Sequence, residues 1–264
     1  MNILEKIINN KKKELLLLKE KYSIADLEKS CFFSREIISA KTYISDPLKS
    51  GIIAEFKRMS PSKGILNSEA DIAYVTQGYA SAGASAVSVL TDRLFFGGRT
   101  DDLRITRESN LIPVLRKDFI IDEFQIPESK AMGADIILLL ASVLDIRDIL
   151  RFTKITHSLG MEVLLEIHSV QELEKINEDV DIIGVNNRDL GNFQIDINTS
   201  LELAGHIPGK FIKISESGIS STASVKTLRE AGYSGFLIGE LFMITADPVK
   251  AFREFAAKIL CENA

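Results

Sequence analysis

The sequence predicts an α/β protein, a closed (β/α)8 TIM barrel with an N-terminal helical extension. Three observations predict it. From Gly51 onward, short apolar runs alternate with amphipathic stretches. Eight such units fit into roughly 210 residues, about the size of one barrel. The glycine-rich fingerprints of the competing doubly wound sheet, G-x-G-x-x-G and G-x-x-x-x-G-K-[ST], do not occur. Near-continuous apolar strands between helices are parallel strands covered on both faces, and closing them into a barrel removes every edge.

Taken in order, residues from about 3 to 45 read as helical, with Ile3, Leu4, Ile7 and Ile8 on one face. Lys11-Lys12-Lys13 reads as a solvated helix face. The expected strands are 52–55, 86–90, 112–115, 135–140, 162–166, 182–185, 211–215 and 235–238. Between them lie helical stretches such as 68–82, 122–132, 145–159, 170–177, 221–231 and 247–260. No linker interrupts the alternation. The expectation is a single catalytic domain over 1–264, with 1–45 as the extension, packed over or beside the barrel mouth, and 51–264 as the barrel.

A chain of 264 residues with 45% hydrophobic and 26% charged residues is ordinary globular protein. Its net charge of -5 argues against a nucleic-acid partner. Cys31 and Cys261 form no metal or redox motif, and no run has transmembrane or signal-peptide character. A cytoplasmic protein without a membrane partner is expected. His157, His168 and His206 are too scattered for a metal triad, and His168, two residues after Glu166, is read as non-catalytic.

Candidate chemistry gathers at the strand ends, where barrels place their active sites. Glu55 and Lys57, two apart and so on one face, end the first strand. Arg116-Lys117-Asp118 ends the third, Glu166 the fifth, Asn186-Asn187-Arg188-Asp189 the sixth, Ser215-Glu216-Ser217-Gly218 the seventh and Gly239-Glu240 the eighth. Cations and carboxylates crowded at one mouth are expected to shift each other's pKa values toward neutrality and to support acid–base catalysis. Gly218 and Gly239 open turns at helix starts, where backbone N–H groups can meet a phosphate, and Glu240 is expected to contribute only its backbone. Phe96, Phe119, Pro61 and Leu138 could line a slot for a flat ring, with core packing the competing account for Leu138.

The segment Ile53-Ala54-Glu55-Phe56-Lys57-Arg58-Met59-Ser60-Pro61-Ser62 resembles the first-strand signature of indole-3-glycerol phosphate synthases. Leu115-Arg116-Lys117-Asp118-Phe119, Ile183-Gly184-Val185-Asn186-Asn187-Arg188 and Ser215-Glu216-Ser217-Gly218-Ile219 match the same family in order, and the resemblance covers essentially the whole chain. Pro127 and the pair Gly98-Arg99 depart from it locally. The resemblance implies conversion of 1-(2-carboxyphenylamino)-1-deoxyribulose 5-phosphate to indole-3-glycerol phosphate, carbon dioxide and water, without metal or organic cofactor. It implies Lys117 as general acid, Glu166 in the later proton transfers, Lys57 on the substrate carboxylate and Glu55 tuning the lysines. Asn186 and Arg188 would orient the substrate and Glu216 would meet a hydroxyl. Ser60, Ser217, Gly218, Gly239 and the Glu240 backbone would cradle the phosphate. Another phosphate-binding barrel, such as phosphoribosylanthranilate isomerase, is the competing enzyme, and a sugar-phosphate sensor the competing non-enzyme. The only implied partner is the small phosphorylated substrate. A monomer is expected, with transient contacts to pathway enzymes left open.

Overall fold

The computed structural model describes residues 2–99, 101–189, 191 and 194–263. Eight parallel strands close on themselves: β1 (Ile52–Phe56), β2 (Ala86–Leu90), β3 (Val114–Lys117), β4 (Ile136–Leu140), β5 (Glu162–Ile167), β6 (Ile182–Asn186), β7 (Ile212–Glu216) and β8 (Gly235–Ile238). β8 pairs back onto β1, with Phe236 opposite Ile52 and Ile238 opposite Ala54. All the expected strands are present, some with ends moved by a residue or two. The largest shift is in the third, which begins at Val114. Pro113 has no N–H for the ladder, and its carbonyl accepts from Val87.

Strand alternation then sorts the side chains. Ile52, Ala54 and Phe56 pack outward in the layer beneath the helices, whereas Ile53 joins Leu115, Ile136, Leu138, Leu164 and Ile214 inside. The apolar filling gives way to charge at the carboxyl ends of the strands.

Helices Ile72–Ser81, Gln125–Ala131, Ile146–Ser158, Thr222–Glu230 and Pro248–Asn263 fall where expected, and Asp102–Ser109 and Asn198–Ala204 add to them. Pro127 costs little in the first turn of its helix, where its missing N–H has no partner within the helix. The expected helix over 170–177 is instead a 3₁₀ turn, Val170–Lys175. Within it, the Glu172 carboxylate is drawn back to accept from the His168 backbone N–H at 2.7 Å.

The N-terminal extension is less helical than the sequence suggests. It comprises Ile3–Lys21, Ile24–Leu27 and Ala40–Ser45. The first helix starts at an Asn2/Glu5 capping box and runs beside the mouth, where Lys19 meets Asp122 at 2.7 Å. The last part closes the opposite end, since Ala40 and Ile44 join the inner core. Only the first helix therefore meets the expectation that the extension packs at the mouth. The amino ends of the strands leave inner apolar residues that also need covering.

Lys11 corrects the reading of its run as a solvated face. Lys12 and Lys13 are exposed, but Lys11 shares the i, i+4 face of Ile7 and Leu15 and is only 5% exposed. Its ammonium lies 2.8 Å from Glu14, 2.9 Å from Asp118 and 3.2 Å from Asp92. Burial alone would lower its pKa, but Asp118 and Asp92 hold it above the usual lysine range.

Candidate active site

A cavity of about 360 Å³ opens at the carboxyl ends of the strands, within the range of small-molecule sites. The residues to which the sequence reading gave a catalytic, substrate-binding or phosphate-binding role all line it: Glu55, Lys57, Ser60, Pro61, Phe96, Lys117, Phe119, Leu138, Glu166, Asn186, Arg188, Glu216, Ser217, Gly218, Gly239 and Glu240. A larger groove, about 740 Å³, between Arg58, Asp71 and Arg99 contains none of them.

Lys117 sits at the centre of the charge. Its Nζ is 2.6 Å from Glu166 and 3.1 Å from Glu216, while Lys57 Nζ is 2.6 Å from Glu55. Asn186 Nδ2 donates to Glu166 Oε1 at 3.1 Å, and Asn186 Oδ1 accepts from the Arg188 backbone at 3.0 Å. His168 Nε2 approaches the same Glu166 oxygen to 3.2 Å. Arg116, by contrast, leaves the site to pair with Glu128 and Asp118.

Crowding does not acidify Lys117 as expected. Burial would lower its pKa, but Glu166, then Glu216 and Glu55, outweigh burial and raise it. The groups facing Lys117 are carboxylates, and Lys57 is already paired with Glu55. For Glu166, burial acts upward, yet Lys117 and then His168 pull it well below the usual carboxylate range. Glu216 is pushed up to about 8 by burial, and the nearby Glu166 charge adds to the rise against the pull of Lys117. At neutral pH the cluster thus holds an ammonium, a carboxylate and a neutral carboxyl, the proton inventory of an acid–base site.

Phe96 and Phe119 face each other with centroids 6.1 Å apart and planes tilted by 36°. Leu138 belongs to the inner core and lines the cavity as well. On the β7–β8 side, Ser217 is the only non-glycine with positive φ among the described residues, at 67°, and Gly218 follows at 75°. Such a backbone costs about 1–3 kcal/mol and is characteristic of functional loops. Asn187 Nδ2 helps to hold it by donating to the Ser217 carbonyl at 2.9 Å. The Glu240 carboxylate lies 3.5 Å from Arg188, whose Nη1 donates to Ser62 Oγ at 2.9 Å.

Gly239 has a reason beyond backbone approach to a ligand. A Cβ there would lie 2.6 Å from Glu55 Oε1 and 2.7 Å from Glu55 Cβ, so the glycine makes room for that side chain. On β6, Gly184 does the same for Glu216, a role the sequence reading missed. It also missed the apolar walls Leu90, Leu140, Ile195 and Ile244, which carry no signal beyond hydrophobicity. Lys11 was detectable from its spacing to Ile7 and Leu15. Among the described residues, no group of three or more His, Cys, Asp or Glu could hold a metal ion.

A family profile described as indole-3-glycerol phosphate synthase matches residues 4–255. The indole-3-glycerol phosphate synthase of Bacteroides thetaiotaomicron is 46% identical over 98% of this chain and 99% of that protein. The enzyme of that name from an Acidovorax species is 39% identical over 97% and 99%. Among solved structures, 3-hexulose-6-phosphate synthase from Salmonella typhimurium superposes with a TM-score of 0.61 over 81% of this chain and 99% of its own. At 16% identity, that likeness speaks for the fold alone. With a profile match across nearly the whole chain and full-length relatives well above 30% identity, this chain belongs to the indole-3-glycerol phosphate synthase family.

Proposed function

We propose that this cavity closes the indole ring: it takes 1-(2-carboxyphenylamino)-1-deoxyribulose 5-phosphate and releases indole-3-glycerol phosphate, carbon dioxide and water. The observation that carries the reading is Lys117 held between Glu166 and Glu216 on the cavity wall, with the Lys57–Glu55 pair beside it. The Phe96–Phe119 slot suits the aromatic ring, and the Ser60, Ser217, Gly218, Gly239 and Glu240 side suits the phosphate. Lys57 and Arg188 are the cations available to the substrate carboxylate.

As the ring carbon attacks the carbonyl carbon, the carbonyl oxygen becomes an alkoxide, whose proton affinity is high enough to take a proton even from a lysine of raised pKa. Lys117 supplies that proton. Carbon dioxide then leaves with its bonding electrons returned to the ring system, and loss of water and a ring proton restores aromaticity. Once Lys117 is a neutral amine, the main force keeping Glu166 ionised is gone, so Glu166 becomes a stronger base when a proton must be removed. Glu216, holding its own proton, is suited to donate a hydrogen bond to a substrate hydroxyl. Asn186 orients Glu166 through its 3.1 Å contact.

The isomerase alternative has no support in a chain matched by the synthase profile from residue 4 to 255. No helix among the described residues is long and apolar enough to cross a membrane. We place the enzyme in the cytoplasm as a monomer acting on a small phosphorylated substrate, without a metal or organic cofactor. Mixing purified protein with the carboxyphenylamino substrate and following indole fluorescence tests the function. Indole-3-glycerol phosphate should form, and inorganic phosphate should compete with substrate. A folded protein that forms none refutes the reading.

A further inference from the structure

His168 lies directly behind the proposed base and is absent from the cavity wall. Its ring sits between two carboxylates, Nε2 at 3.2 Å from Glu166 Oε1 and Nδ1 at 3.6 Å from Glu172 Oε2. Both ring nitrogens are shut off from water, and neither makes a well-directed hydrogen bond. A ring so placed acts on its neighbours chiefly through charge. Glu172 is fixed in turn, since it accepts from the His168 backbone N–H at 2.7 Å. We propose that His168, backed by Glu172, is a positioning residue for Glu166 that fixes the orientation and charge of that carboxylate from outside the cavity.

Burial would lower the proton affinity of this imidazole, but Glu166 and Glu172 together raise its pKa to about 10, so it is a cation at neutral pH. The groups facing Glu166 are Lys117 from β3, Asn186 from β6, Glu216 from β7 and His168 from the end of its own strand, with the Glu55–Lys57 pair across from β1. During turnover Lys117 gives up its proton. His168 is then the remaining cation in contact with Glu166, and it limits how far the carboxylate's proton affinity rises. An opposite charge at this range moves a carboxylate pKa by about 1–3 units.

The inference rests on Glu166 as the base, and the test separates the two. kcat and KM are measured between about pH 5 and pH 8 for wild type, His168→Gln, Glu172→Gln and Glu166→Gln. In His168→Gln the acid limb should move toward neutrality, with kcat falling about tenfold per pH unit where wild type is still flat. Its KM should be unchanged, because His168 does not line the cavity. Glu172→Gln should move the limb the same way by less, and it decides the matter if His168→Gln does not fold. A kcat lowered by one factor at every pH, or limbs that superimpose on wild type, would show packing alone and overturn the inference. Full turnover by Glu166→Gln would instead overturn the assignment of the base.

Discussion

At the amino-terminal end of the barrel, Asp135 accepts from Arg35 at 2.6 Å, from Arg107 at 2.7 Å and from the backbone N–H groups of Ile38 and Val114. Glu162 likewise accepts from Ser39, Ala40 and Lys41. At the carboxyl-terminal end, Glu216 is as deeply buried, yet its two oxygens receive no well-directed hydrogen bond although Lys117 lies 3.1 Å away. Both ends bury carboxylates. At the amino end, backbone donors that cannot change protonation fix each charge and join the extension to the barrel. At the mouth, apart from the Asn186 amide, the partners are lysines, a histidine and another carboxyl, which can exchange protons. Burial plus fixed donors makes a structural charge, whereas burial plus titratable partners makes a reactive one.

Substitutions at the two ends should therefore separate activity from stability. The largest effect is expected for Glu166→Gln, which preserves shape and removes the proposed base: single-turnover product formation should fall by about 10² to 10⁴ with the thermal midpoint little changed. Asp135→Ala should do the reverse. It leaves the buried Arg107 and the half-buried Arg35 without their carboxylate, so urea unfolding should show a loss of about 3–5 kcal/mol, while kcat per folded molecule stays near wild type. Lys11→Met lies between the two cases. Asp118 keeps Arg116 and Thr91, so the stability loss should be about 1–3 kcal/mol. Asp92 caps the short helix carrying Phe96, and Asp118 precedes Phe119, so KM should rise as well.

A separate effect concerns pH. Because Glu216 titrates at about 8 in the folded chain against an ordinary 4.5, the folded state keeps a proton that the unfolded chain has lost. That contribution to stability is fully present below about pH 4.5 and is lost as pH rises through 8. Glu216→Gln should flatten the decline of the urea midpoint between about pH 5 and pH 9. An unchanged decline would place the extra proton elsewhere.

The fold was legible because strand burial on both faces leaves near-continuous apolar runs, unbroken in β4 and β8, that recur between amphipathic stretches. The residues that line the cavity were legible because a carboxylate or lysine ending such a run, as at Glu55, Lys117 and Glu166, is costly to bury in a barrel without a use for it. What the sequence obscured depends on partners distant along the chain. The spacing of Lys11 to Ile7 and Leu15 marks its face, but its partners Asp92 and Asp118 arrive only from the loops after β2 and β3. Gly239 looks like a turn or ligand glycine, and Gly184 like any strand residue, until Glu55 and Glu216 fill their space. The direction of the Lys117 shift depends on which neighbours already have partners, which composition cannot say. Residues 40–45 read as part of a helix near the mouth because nothing local reveals that the opposite end of the barrel needs a plug.

The account rests most directly on Lys117 as the acid for ring closure. The decisive measurement is single-turnover formation of indole-3-glycerol phosphate by Lys117→Ala, with circular dichroism confirming the fold and substrate affinity measured in parallel. The account predicts a rate lower by about 10² to 10⁴, with affinity changed far less, because the proton donor acts in the transition state. A folded Lys117→Ala that closes the ring at near wild-type rate would contradict it and pass the role to Lys57.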